Sequence, residues 1–175
     1  PEAIEVYGLD EAKDRAIKSL RQAQRQSLLV TGTTGRGKTA LLQHLVSHRE
    51  ALGLPPVKVW EATAAQLLQG LTQRGGWQGQ LQKLYKELQS SGDWLYIPDF
   101  TEMFEVGQYA GNAQSMADFL RPMLMRGEIV ILTECTPAGL AAMERRAPGY
   151  ASLFVGIELP EQSSEALLHV IQARG

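Results

Sequence analysis

The chain has 175 residues, 44% hydrophobic and 21% charged, which suits one ordinary core and a single domain. Its 17 Lys and Arg face 19 Asp and Glu for a net charge of −2, and the cations are scattered, so no footprint for nucleic acid or an anionic membrane is visible. Cys135 is the only cysteine, which excludes an internal disulfide and fits a reducing compartment. No apolar run approaches the ~20 residues of a membrane span, no signal-peptide pattern opens the chain, and Pro1 at the start fits an excised piece.

In chain order, five short apolar runs bounded by turn residues read as strands: Ser27–Thr31, Val57–Glu61, Trp94–Ile97, Ile129–Thr133 and Phe154–Glu158. Helical stripes lie between them. Leu41, Leu42, Leu45 and Val46 form the first; Trp77, Leu81, Leu84, Tyr85 and Leu88 the second; Met116, Phe119, Leu120, Met123 and Leu124 the third. Thr136-Pro137 reads as an N-cap followed by Pro at the first helical position, opening a helix of roughly ten residues. Alternating strands and helices predict an α/β fold, with right-handed βαβ units and a parallel sheet covered on both faces. Ligands of such sheets sit at the carboxyl ends of the strands.

Directly after the first strand comes GTTGRGKT, Gly32 to Thr39, and directly after it the Leu41 stripe. Gly32, Gly35 and Gly37 let the backbone curl so that successive N–H groups point into one cavity, and the helix N-terminus adds positive charge. Lys38 is expected to reach the β- and γ-phosphates, and Thr39 to supply a magnesium ligand. The expected nucleotide contacts are Gly32, Thr33, Thr34, Gly35, Arg36, Gly37, Lys38, Thr39 and Ala40. No Asn-Lys-x-Asp motif for guanine follows, so ATP or ADP with Mg2+ is the expected cofactor.

Together with VYGLDE (Val6 to Glu11), LYKELQSSGDWLYIPD and FLRPMLMRGE, this loop makes nearly the whole chain resemble the large subdomain of a Clp-type AAA+ unfoldase, in its first ATPase ring. The resemblance implies a P-loop NTPase fold with a five-stranded parallel sheet in the order 5-1-4-3-2, followed by a helical lid. It makes residues 1–160 the nucleotide-binding subdomain and 161–175 the start of a lid that is cut short, ELPEQSSEALLHVIQA (Glu158 to Ala173) resembling the first lid helix. It places Val6 and Tyr7 against the adenine, Asp99 with Thr39 at the magnesium, and Thr136 where a hydroxyl orients the γ-phosphate or water. Neighbouring AAA+ subunits or other proteins are the implied partners and the cytoplasm the implied location, although the fragment is equally compatible with a monomer.

The chain also departs from that pattern. Phe100 follows Asp99 where the family keeps a catalytic glutamate, and phenylalanine takes no proton. The paired arginine fingers fall on Ser152 and Leu153, with Arg145 and Arg146 too early, and the pore tyrosine falls on Gln73. The reading that follows is a degenerate ATP-binding module with impaired hydrolysis. Two alternatives stay open: an active motor whose carboxylate has moved, with Glu61, Glu102, Glu105 and Glu134 as candidates, and a scaffold that no longer binds nucleotide. His44, His48 and His169 lack metal-ligand spacing and read as surface or helix-face residues, Cys135 as a small buried residue, and Trp77 as packing against Leu81.

Overall fold

The computed structural model describes residues 9–22, 25–33, 37–72, 77–108 and 113–160. Val6, Tyr7, Thr34, Gly35, Arg36, Gln73 and the segment 161–175 therefore lie outside the described residues. The elements run α1 (Leu9–Arg21), β1 (Ser27–Thr31), α2 (Gly37–Ser47), β2 (Val59–Glu61), α3 (Ala64–Thr72), α4 (Trp77–Ser91), β3 (Trp94–Ile97), a 3-10 turn (Phe100–Phe104), α5 (Met116–Met125), β4 (Val130–Cys135), α6 (Pro137–Arg146), a second 3-10 turn (Ala151–Leu153) and β5 (Phe154–Glu158).

The strands form one five-stranded sheet in the order β2-β3-β4-β1-β5, every neighbouring pair parallel. This is the expected order 5-1-4-3-2. Because side chains alternate between faces of a strand, the sheet divides the core in two. Leu28, Val30, Tyr96, Val130 and Leu132 face α1 and α2, meeting Ala12, Ala16, Leu41 and Leu45. Leu29, Leu95, Ile97, Ile131 and Cys135 face the other layer, where α3 to α6 contribute Leu67, Trp77, Leu81, Leu120 and Met143.

Three strand boundaries differ from the sequence-based expectation, the smallest being the start of β4 at Val130 rather than Ile129. β2 begins at Val59 rather than Val57, since Pro55-Pro56 shapes a turn in which the Val57 amide donates to the Pro55 carbonyl at 2.8 Å. β4 runs to Cys135, two residues beyond the expected end, because Val30 and Thr31 of β1 continue to pair with Glu134 and Cys135. That extension carries Glu134 onto the face of Leu132, beneath α2.

Helix α1 went unread in the sequence although Ala12, Ala16 and Leu20 recur every four residues and are buried. Asp10 and Glu11 in its first turn and Lys18 and Arg21 in its last suit the helix dipole. α6 starts as expected: the Thr136 hydroxyl accepts the Gly139 amide at 3.1 Å and Pro137 follows at the first helical position. α5 opens with a reciprocal cap between Ser115 and Asp118 and closes on Gly127, whose φ of +63° lies in the left-handed region.

Candidate functional site

The site forms where β1, β3 and β4 end together. β1 leads through Gly32 and Thr33 toward α2, and the Gly32 amide donates to the Cys135 carbonyl at 3.3 Å, tying the start of the loop to β4. A Cβ on Gly32 would lie 3.4 Å from Leu159 Cβ and 3.6 Å from Lys38 Cγ, so the loop backbone, the lysine and the chain leaving β5 are closely stacked.

Lys38 is 5% exposed. Its Nζ donates to the carbonyls of Gly32 at 2.7 Å and Thr33 at 2.8 Å. The one ion pair among the described residues joins Arg126 to Glu128, at 2.9 Å, so none of the described carboxylates lies within ion-pair distance of this ammonium. A buried cation held only by carbonyl dipoles is costly unless an anion joins it. The position, at the N-terminus of α2, is one where phosphate is the natural anion.

Thr39, one residue on, donates its hydroxyl to Glu134 Oε1 at 2.7 Å, and the Tyr96 hydroxyl donates to Glu134 Oε2 at 3.1 Å. Burial, reinforced by the Glu134 carboxylate, holds the Tyr96 phenol well above its ordinary value, so it remains a donor. Asp99 lies across the same cleft. Its Oδ1 accepts the Thr101 amide at 3.0 Å and the Thr101 hydroxyl at 2.5 Å, capping the 3-10 turn. Lys38, Asp99, Glu134, Cys135 and Thr136 together line a cleft of about 240 Å³. A second recess of about 510 Å³ opens beside Thr31, Gly32 and Thr33, walled by Glu11, Arg15 and Leu159.

The structure thus brings together Gly32, Thr33, Gly37, Lys38, Thr39, Ala40, Asp99 and Thr136 at one edge of the sheet. Phe100 is not among them. It is fully buried on the far side, its ring 5.2 Å from that of Phe154 and 5.7 Å from that of Tyr150, so the side chain that turns into the cleft after β3 is Asp99. Glu61 is exposed and lines a separate recess of about 150 Å³ with Tyr96 and Leu42. Arg145 and Arg146 are exposed in the last turn of α6, and Ser152 sits on the second 3-10 turn, its hydroxyl donating to the Gly149 carbonyl at 2.5 Å.

Burial, and then the Asp99 charge, push the Cys135 thiol up to about 11, which fits a buried structural thiol rather than a nucleophile. His44 and His48 stack on one helix face with centroids 4.4 Å apart. Trp77 is 2% exposed, packs edge-on to Phe119 at 5.5 Å and donates Nε1–H to the Gly107 carbonyl at 2.8 Å. Its role is core packing. No helix among the described residues is long and apolar enough to cross a membrane.

Sequence reasoning weighed Glu134 only as one of four displaced-carboxylate candidates and missed its partners Thr39 and Tyr96. The signal was present: period-two alternation from Val130 through Leu132 puts Glu134 on the face that α2 covers.

No family model matches the chain. Curated proteins similar to it include the chaperone protein ClpB of Mycoplasma genitalium, 24% identical over 174 residues and 95% of this chain. ClpB of Aquifex aeolicus is 24% identical over 171 residues, again 95% of the chain. The ATP-dependent Clp protease ATP-binding subunit ClpE of Lactococcus lactis subsp. lactis is 28% identical over 136 residues, 75% of the chain. The chain spans 24%, 17% and 18% of those three proteins. Among solved structures, Hsp104 with ATPγS and FITC-casein matches with a TM-score of 0.72 at 20% identity, covering 95% of this chain and 29% of that one. The S. cerevisiae Hsp104–ADP complex matches with a TM-score of 0.71 at 20% identity, covering 97% and 30%. Sheet order, loop placement and these likenesses give the chain the α/β P-loop NTPase fold and make it similar to Clp-type AAA+ proteins.

Proposed function

We propose that this chain is the nucleotide-holding domain of a Clp-like protein: it binds ATP or ADP with Mg2+, hydrolyses ATP slowly or not at all, and serves assembly or regulation within a larger protein. The observation that carries the reading is Lys38, a buried ammonium with no carboxylate among the described residues within ion-pair distance, set over the Gly32 and Thr33 carbonyls at the head of α2. A phosphate group supplies the missing charge, with the Gly37 to Ala40 turn behind it. The recess beside Thr31 and Leu159 would take the base and sugar, Val6 and Tyr7 being the further adenine contacts that the resemblance implies, and Thr136 lines the cleft while its hydroxyl oxygen caps α6, leaving the hydroxyl proton for the phosphate.

Magnesium, when bound, neutralises charge on the β- and γ-phosphates. The donor set fits it. No group of three or more His, Cys, Asp or Glu able to hold a metal occurs among the described residues, so there is no all-protein cage. Thr39, Asp99 and Glu134 instead supply a few hard oxygens, which suits an ion that keeps waters and borrows phosphate oxygens.

Impaired hydrolysis is inferred from two features. The positions matching the arginine fingers carry Ser152 and Leu153, and losing such a cation costs ~10³–10⁵ in rate. Phe100 takes the place of the family's catalytic glutamate and has no group that takes a proton; an absent general base costs ~10²–10⁴ in rate. Hsp104 was solved with ATPγS and with ADP, which supports a nucleotide here by likeness. Neighbouring AAA+ subunits as partners, and a cytoplasmic setting, are proposed on the same likeness. The test is phosphate release at saturating Mg-ATP. Turnover indistinguishable from background is expected, and a rate near 1 per second would refute the holding role.

A further inference from the structure

We propose that Glu134 of β4 supplies the magnesium-side carboxylate of this site, in place of the residue that leaves β3. The inference rests on the nucleotide-holding reading above and deepens it.

β3 ends at Ile97, whose carbonyl accepts the Thr133 hydroxyl at 2.6 Å, and the two residues that follow the strand are Pro98 and Asp99. A phosphate-loop site needs a carboxylate beside the hydroxyl at the head of α2, because that hydroxyl and a strand-end acid hold the ion together. Pro98, the first residue past the strand, has no group to offer. Asp99, the second, turns its Oδ1 to Thr101, and the Thr39 hydroxyl donates to Glu134 instead. The acid that meets Thr39 is Glu134, at 2.7 Å, one strand nearer the phosphate loop.

Its placement follows from the sheet. Glu134 pairs with Val30 in register, and strand alternation turns its side chain toward α2, onto the face shared with Tyr96. The Tyr96 hydroxyl holds the second carboxylate oxygen at 3.1 Å and fixes the rotamer, as a neighbour positions a metal-binding carboxylate. Tyr96 is thus a positioning residue. Asp99, on the opposite side of the same cleft, has its Oδ1 engaged by Thr101 and offers its Oδ2 to a water of the ion's shell.

The test is calorimetric titration of ATPγS into the full chain, with Mg2+ and with EDTA, for the native protein, Glu134→Gln and Asp99→Asn. Mn2+ binding to each nucleotide complex, read by electron paramagnetic resonance, is measured alongside. Glu134→Gln keeps the shape and an acceptor for Thr39, and its fold is checked by circular dichroism. Glu134→Gln is expected to bind ATPγS in EDTA as the native chain does, to lose the gain in affinity that Mg2+ confers, and to weaken Mn2+ binding about 10- to 100-fold. Asp99→Asn is expected to keep binding in EDTA and to lose less of the Mg2+ gain and of Mn2+ binding than Glu134→Gln does. A Mg2+ gain that survives in Glu134→Gln, or is lost only in Asp99→Asn, overturns the assignment while leaving the nucleotide-holding reading intact. No binding of ATPγS by the native chain overturns both.

Discussion

The ring of Phe100 stands 5.2 Å from that of Phe154 at an interplanar angle of 73°, in an aromatic cluster completed by Phe104 and Tyr150. A residue so placed is part of the core, whatever its neighbour does in the cleft. Phe100→Glu is therefore expected to bury a carboxylate among aromatic rings and unfold the chain rather than restore hydrolysis. Phe100→Ala is expected to cost about 3–5 kcal/mol in urea unfolding. A folded Phe100→Glu variant with raised turnover would show that this side chain faces the nucleotide after all.

Gly107 and Gly70 are expected to respond in opposite ways to alanine. Gly107 has a φ of +96°, and a Cβ there would lie 2.8 Å from the Trp77 ring and 3.2 Å from the Met116 amide nitrogen. Gly107→Ala is expected to cost about 1–3 kcal/mol and to alter Trp77 fluorescence, since Trp77 donates to the Gly107 carbonyl. Gly70 lies inside α3 with nothing within 4 Å of its added Cβ. Gly70→Ala is expected to be stabilising by about 0.5–1 kcal/mol. Paired urea titrations decide both, and equal midpoints for the two variants would contradict the strain assigned to Gly107.

The buried thiol and phenols set a pH dependence. Cys135 titrates near 11 in the fold instead of at 9.0, raised first by burial and then by Asp99. Tyr96 and Tyr150 are raised too, chiefly by burial. A group whose folded value lies above its unfolded one contributes stability that is complete below the unfolded value and is lost as pH climbs through the folded one. The thermal midpoint is expected to stay level from pH 7 to about 8.5 and to fall from about 9 to 11. Cys135 should also react with a thiol reagent at neutral pH only at the rate of unfolding. Rapid labelling of the folded chain would contradict the burial.

Much of this fold was legible because its signals are local. Gly32 to Thr39 between the Ser27–Thr31 run and the Leu41 stripe fixes strand, loop and helix together, and Thr136-Pro137 marks the start of α6. Helix α1 was obscured by charged residues between Ala12, Ala16 and Leu20, which lower its apparent apolarity while leaving its stripe intact. The site was half legible. Lys38 and Thr39 come with a motif, whereas Glu134 acquires its place only through pairing with Val30 and contact with Thr39, 95 residues away. The inward turn of Phe100 was not legible for a related reason: the end of β3 at Ile97, and the turn that sends Phe100 inward, depend on packing against β5 and Tyr150.

The most direct measurement of the central claim is calorimetric titration of Mg-ATP into the native chain and into Lys38→Ala. Binding by the native chain that is lost or weakened at least tenfold in Lys38→Ala, with both folded, is the predicted result, because the alanine removes the one buried cation among the described residues, which the account sets against the phosphates. Equal binding by the two proteins, or no binding by either, would contradict a nucleotide-holding site built on Lys38.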